Sequence, residues 1–268
     1  MFFADHHTHS SCSPDGTVSM IEMAKGALEA GLSCLCITDH CDFLSLDGTR
    51  RQTDYDWAPV LRQYEEMRHG FGSKLDLPLG LEFGMGFLDP AAAEQVLSQP
   101  ELDFVIGAVH NLSEAAGGLD FYFLPYESEA DCYRALDDYF ASMERLAEGP
   151  FYDVLGHIIY PLRYMKGGYQ APIRLERYED QLRGILRKVA ESGRGIEVNT
   201  WKGNTIQEWS PILKLYKECG GEIITVGSDA HAPQPIGKGI KEAYLLLQDL
   251  GFRYVANYHE RKPEMIKL

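Results

Sequence analysis

Nine histidines punctuate the chain, and six of them close short apolar runs: His7, His9, His40, His110, His157 and His231. Glu82 ends another such run, and Asp229 shares Gly-Ser-Asp-Ala-His with His231. Neutral imidazole and carboxylate are ligands suited to Zn, Mn and Fe. Residues two apart in an extended segment point the same way, so His7 with His9, and Asp229 with His231, each present two donors together. Six imidazoles plus carboxylates exceed the four ligands of one tetrahedral zinc. They suffice for two to three divalent ions where a carboxylate bridges. Two ions about 3.5–4 Å apart hold a hydroxide between them and neutralise a transferring phosphoryl group. A histidine at a strand end is ordinarily a hydrogen-bonded core or surface residue, and His-x-His alone is a weak signal. The coincidence of six such positions with Glu82 and Asp229 outweighs that reading. His6, His69 and His259 lack the placement and are read as structural. Asp5 and Asp39 either orient ligating imidazoles from behind or simply end strands.

For residues so far apart in sequence to meet, the elements between them must bring them to one rim. Strands are expected at Phe2–His7, Ser33–Thr38, Leu77–Phe83, Phe104–Val109, Val154–Ile159, Gly195–Asn199 and Ile223–Val226. Helices are expected at Val18–Ala30, Val60–Phe71, Ala91–Leu97, Glu129–Ala147, Leu175–Ser192, Gln207–Cys219 and Ile240–Leu250. Gly31, Gly193 and Gly251 stand where a left-handed residue ends a helix, and Pro211 offers a helix start. Strict strand–helix alternation implies parallel strands. In a parallel barrel every strand C-terminus lies on one face. One α/β barrel over residues 1–268 accounts for the chain without a second domain. The irregular segments Phe43–Pro59 and Asn111–Ser128 have the length of functional covers.

The formal charge of −15 argues against a nucleic-acid partner. No run of roughly 18 apolar residues is present, so no membrane span is expected. The start, Met-Phe-Phe-Ala-Asp-His-His, lacks a basic and then apolar leader, and a cytoplasmic protein is the default expectation. The six cysteines, Cys12, Cys34, Cys36, Cys41, Cys132 and Cys219, form no Cys-x-x-Cys pair and are read as core thiols.

The ordered motifs Asp-His-His-Thr-His-Ser (5–10), Thr-Asp-His (38–40), Gly-Leu-Glu-Phe (80–83), Val-His (109–110), Gly-His (156–157) and Gly-Ser-Asp-Ala-His (227–231) resemble the PHP (polymerase and histidinol phosphatase) superfamily. The chain length and its ending, with Gly251-Phe252, Val255, Tyr258 and Arg-Lys-Pro (261–263), look most like the histidinol-phosphatase branch. The resemblance implies a distorted (β/α)7 barrel with a trinuclear centre. Carried over, it implies one ion on His7, His9, Glu82 and Asp229. A second falls on Asp15, His40 and His231, and a third on Glu82, His110 and His157, with Glu82 shared. Asp15 stands where many histidinol phosphatases have histidine, and a harder carboxylate there shifts preference from Zn toward Mn or Fe.

The implied activity is hydrolysis of a small phosphate monoester, L-histidinol phosphate, by a metal-bridging hydroxide. Glu82, Asp229 and His231 are its catalytic candidates, Arg163 its phosphate-facing candidate on the loop rim, and Asn199, at the sixth strand end, a substrate contact. The proton donor to the leaving alkoxide is left open between metal-bound water, His231 and another rim residue. The centre is net positive with its ions in place, and exposed charge is screened beyond about 8 Å at physiological salt. An acidic protein can thus attract a phosphate. The alternatives are another PHP phosphoesterase acting on nucleotides or other small esters, a metal-dependent amidohydrolase, and a non-catalytic metal-binding protein.

Overall fold

The computed structural model describes residues 2–168 and 173–268, the side chains of 166–168 apart. Its elements run β1 (Ala4–Asp5), α1 (Met20–Glu29), β2 (Cys34–Leu35), β3 (His40–Asp42), α2 (Trp57–Phe71), β4 (Gly80–Gly84), α3 (Pro90–Leu97), β5 (Phe104–Ala108) and α4 (Glu129–Glu148). The second half continues with β6 (Val154–Leu155), α5 (Leu162–Gly168), α6 (Glu179–Glu191), β7 (Gly195–Asn199), α7 (Trp209–Glu218), β8 (Ile224–Gly227), α8 (Ile240–Asp249), β9 (Tyr254–His259) and β10 (Lys262–Lys267).

Six strands, β3 to β8, pair in parallel and in chain order. Strand β2 pairs with β1 and is continuous in register with β3. Cys34 bridges Asp76, Ile37 bridges Leu79 and His40 pairs with Glu82, so one interrupted strand runs beside the chain leading into β4. The other side closes through the backbone. His6 N–H donates to Val226 O at 2.9 Å, Asp229 N–H to His7 O at 2.9 Å and His9 N–H to Ala230 O at 2.8 Å. The seven strand positions expected from the sequence thus make a ring, with β2 and β3 as one position. Strands β4, β5 and β7 are buried along their whole length, as strands of a parallel sheet covered on both faces must be.

The helices form the outer layer because each is apolar on one stripe. Helix α1 begins with a reciprocal Ser19–Glu22 capping box and α4 with Ser128–Asp131. Helix α7 starts at Trp209, which places Pro211 at its third position rather than its first; a 3-10 turn over Ile206–Glu208 leads in. Two further elements were not expected, helix α5 and the antiparallel hairpin β9–β10. The hairpin plugs the N-terminal end of the barrel: Ala256 and Tyr258 pack with Cys36, Phe104, Ile106 and Val154. One end is therefore filled with apolar side chains and the other is left for the polar cluster. Cys34, Cys36, Cys41 and Cys132 are buried free thiols, whereas Cys12 and Cys219 are only half-buried. Among the described residues no helix is long and apolar enough to cross a membrane.

Candidate metal centre

Glu82, the third residue of β4, lies on the barrel axis and is 1% exposed. Its Oε2 lies 3.0 Å from His40 Nδ1, 3.2 Å from His7 Nε2 and 3.5 Å from His9 Nε2. Its Oε1 lies 2.6 Å from His157 Nε2 and 3.0 Å from His110 Nε2. Asp229 Oδ1 completes one side, at 3.6 Å from His9 Nε2 and 3.8 Å from His7 Nε2. His231 Nε2 meets Asp15 Oδ2 at 2.9 Å, and His40 Nε2 meets the same oxygen at 3.8 Å. All nine residues expected as ligands therefore converge. Seven of them, joined by Asp42, form overlapping groups whose donor atoms lie within 4.8 Å of one another: His7, His9 and Glu82; His9, His40 and His231; Glu82, His110 and His157; and His40, Asp42 and His110.

Local backbone geometry aims these side chains. Strand β6 stops at Leu155, and His157 follows it with φ 20°; Asp229 has φ 61°. Left-handed backbone at a residue with a side chain costs on the order of 1–3 kcal/mol and is held by its surroundings, here by the Asp229 N–H bond to His7 O. Gly227 is required for close approach, since a Cβ there would meet His7 Cβ at 2.3 Å and Glu197 Oε1 at 2.7 Å.

Behind the donors stands a set of orienting groups, and it is not the set the sequence suggested. Asp5 accepts from the Ser228 and Gly237 backbone and Asp39 accepts from Ser10 and Ser13; neither side chain reaches a clustered imidazole. The work falls to Glu197, Ser13 and Asp42. Glu197 Oε1 accepts from His7 Nδ1 at 2.6 Å and its Oε2 accepts from His157 N–H at 2.9 Å. Ser13 Oγ takes His9 Nδ1 at 3.1 Å, and Asp42 Oδ1 takes His110 Nδ1 at 2.8 Å. Each bond leaves the opposite ring nitrogen, Nε2, facing the centre, which is the usual means of fixing a ligand's tautomer. Asp42 carried no recognisable sequence signal; Glu197 opens the Glu-Val-Asn-Thr run (197–200) that resembles the histidinol-phosphatase branch at its sixth strand end, where Asn199 alone stood out as a site residue. Gly84 carried a faint signal, because a Cβ there would lie 1.8 Å from Asp42 Oδ1.

Divalent ions fit this donor set. His7 Nε2, His9 Nε2, His40 Nδ1 and Glu82 Oε2 are all buried without a hydrogen-bond partner. Buried polar atoms of this kind are normally satisfied, and a bound cation would satisfy all four. The groups also act on one another's charge. Burial resists ionisation of Glu82, yet His7, His40 and His110 hold its carboxyl well below the usual range. Burial likewise opposes a charged His40, but Glu82 and Asp42 push it up to about 9.

Two expected contacts sit differently from the sequence picture. Arg163 is not on a surface loop; it lies in α5, 8% exposed, and its Nη1 donates to Asp229 Oδ2 at 2.7 Å. Asn199 Nδ2 lies 3.1 Å from Glu197 Oε1 and 3.3 Å from Asp229 Oδ2, so it bonds to one orienting carboxylate and one candidate ligand. Above the cluster opens a cavity of about 630 Å³. Both irregular segments line it, one through Leu44, Leu46 and Tyr55 and the other through Asp120, Tyr122 and Phe123.

A β/α barrel with imidazoles and carboxylates gathered on its C-terminal rim belongs to the class of barrel proteins built around a multinuclear metal centre. Residues 5–201 match the PHP domain family, and the chain belongs to that family. It is 27% identical to the histidinol-phosphatase of Lactococcus lactis, over 98% of this chain and 97% of the relative. It is 30% identical to a probable histidinol-phosphatase of Deinococcus radiodurans, over 96% and 97%. Among solved structures it is similar to a histidinol phosphate phosphatase from Lactococcus lactis in complex with zinc, L-histidinol and phosphate. There the TM-score is 0.86, with 25% identity and 98% of each chain covered.

Proposed function

We propose that the chain hydrolyses L-histidinol phosphate to L-histidinol and inorganic phosphate. The observation that carries this reading is the convergence of five histidines on the two oxygens of Glu82, in a chain matching a zinc-, histidinol- and phosphate-bound relative end to end. His7, His9, Glu82 and Asp229 would hold one ion, Asp15, His40 and His231 a second, and Glu82, His110 and His157 a third, with Glu82 shared. Zn, Mn and Fe all suit this set. Bound ions supply positive charge for the phosphoryl oxygens and activate water at neutral pH.

The protein's own residues hold and orient. Glu197, Ser13 and Asp42 fix three imidazoles with Nε2 inward. Asp229 divides its oxygens, one toward the His7–His9 pair and one on Arg163. Arg163 is thereby locked with its guanidinium beside the cluster and lining the cavity, where it can meet equatorial phosphate oxygens as charge moves onto them. Its Nε is buried without a partner. Cys41 lines the cavity, but burial pushes its thiol up, away from the nucleophilic thiolate, so water is the expected nucleophile and no phosphoenzyme forms.

Phosphate release from a panel of histidinol phosphate, mononucleotides and simple alkyl phosphates tests this reading. Histidinol phosphate should exceed the others in kcat/KM by at least about tenfold, since a site built to bind a polar group discriminates strongly against esters lacking it. A nucleotide ranking first would replace it with the broader phosphoesterase reading.

A further inference from the structure

The cavity has a second pole. Asp120 lines it, is 4% exposed, and lies in the segment following β5, bonded to neither Asp229 nor Arg163. Its backbone is pinned: Asp120 N–H donates to Leu46 O at 3.0 Å, and Asn111 and Asp120 bridge antiparallel. Its Oδ1 caps a short 3-10 turn by accepting from Tyr122 N–H at 2.7 Å. No ion pair joins Asp120 to any described side chain. Beyond the clustered histidines, of which His110 bears on Asp120 through its charge, the cations lining the cavity among the described residues are Arg163, which is committed to Asp229, and Lys202. A carboxylate this buried ordinarily has a cationic partner.

The walls around it are aromatic. Tyr122 stacks edge-on against Phe123 at 5.0 Å and Tyr164 at 5.3 Å, and Tyr160 against Tyr164 at 5.2 Å. The charge of Asp120 reaches the hydroxyls of both Tyr160 and Tyr164. Tyr122 and Phe123 are 61% and 51% exposed, unusually open for rings that size, and they face the cavity mouth. Ring faces are electron-rich and favour both cations and planar rings.

We infer that Asp120 is a specificity-determining residue that binds an ammonium on the alcohol half of the substrate, with the Tyr122–Phe123–Tyr164 wall receiving a planar ring. The inference rests on the proposed histidinol phosphate reading, whose alcohol carries an ammonium one carbon from the ester and an imidazole beyond it. Nothing is transferred in this step. The carboxylate sets which phosphate esters dwell in the cavity, and the metal cluster and Arg163 act on the phosphate alone.

The test measures kcat/KM on histidinol phosphate and on its deamino analogue, for wild type, Asp120→Asn and Asp54→Asn. Asparagine keeps the oxygen that caps Tyr122 and removes the charge; Asp54 is the exposed acid on the opposite cavity wall. Wild type should prefer the amine-bearing ester. Asp120→Asn should lower that preference ten- to a hundredfold, as loss of a charged hydrogen-bond partner does, chiefly through KM and with metal content unchanged. A wild-type preference that survives Asp120→Asn within twofold, or that falls instead in Asp54→Asn, overturns the role of Asp120 while leaving the proposed activity standing. A wild type that cleaves the two esters alike overturns the ammonium site, and one that cleaves neither overturns the proposed activity.

Discussion

Glu197→Gln is the substitution with the sharpest consequence, because both carboxylate oxygens are committed. One accepts from His7 Nδ1 at 2.6 Å and the other from His157 N–H at 2.9 Å, in a side chain with no solvent exposure. An amide of the same shape has one acceptor and one donor. If its NH₂ faces His157 N–H, two buried donors oppose each other, at about 1–3 kcal/mol. If its NH₂ faces His7, the ring must offer a lone pair at Nδ1 and carry its proton on Nε2. That is the atom 3.2 Å from Glu82 Oε2, the wrong tautomer for a ligand. The first orientation disturbs the placement of His157 and the second the tautomer of His7, so either weakens the hold on an ion in the cluster. A loss of about 1.4–2.7 kcal/mol corresponds to ten- to a hundredfold, the range seen when an orienting partner of a ligating histidine is removed. Competition with a chromogenic chelator measures zinc affinity directly, and thermal unfolding checks that the barrel is intact. Zinc affinity within twofold of wild type in a folded Glu197→Gln protein would refute the argument that the His7 tautomer is set by this carboxylate.

Elemental analysis after reconstitution should give more than one ion per chain; one or fewer removes the multinuclear centre. Glu82→Gln should lower kcat by roughly a thousandfold, several kcal/mol of charge stabilisation, and by more than His110→Ala. Near-normal turnover would deny the shared role. Arg163→Ala should lower kcat/KM ten- to a hundredfold and lysine should restore only part, since it lacks the planar fork; a change under twofold returns Arg163 to holding Asp229 alone. In the ion-free protein burial opposes a charged His40, but Glu82 and Asp42 hold it up to about 9, so at neutral pH it carries a proton that ligation must displace. Zinc affinity should therefore rise with pH toward about 9, and calorimetric heats should depend on the buffer's ionisation enthalpy; buffer-independent heats would contradict this.

The parts of this molecule that were legible in sequence are those in which chemistry and periodicity coincide. His7 and His9 announced themselves because strand geometry makes alternate residues neighbours, and Glu82 because it ends an apolar run that is buried on both faces. Alternation of runs then fixed the parallel ring on which these ends meet. The orienting groups were hidden for the same physical reason that makes them effective. Glu197 lies inside the apolar strand Gly195–Asn199 and Asp42 in a two-carboxylate segment with Asp39, and nothing in their neighbours distinguishes a buried acceptor from a strand-end acid. Asp39 looked the better candidate by position, yet it spends its oxygens on Ser10 and Ser13, and only through Ser13 Oγ does its influence reach His9. Arg163 was displaced in the same way: Leu-Arg-Tyr-Met after a proline-interrupted strand end reads as loop, and the short helix α5 exists because Met165 and Arg163 are both drawn inward, one by the core and one by Asp229. The hairpin β9–β10 escaped because Val255 to Tyr258 is buried on both faces and yet polar at Asn257, which bonds His6 at 2.9 Å. Each of these residues is recognisable only by its partner across the barrel, and partners 66 to 251 positions away leave no local periodicity to read.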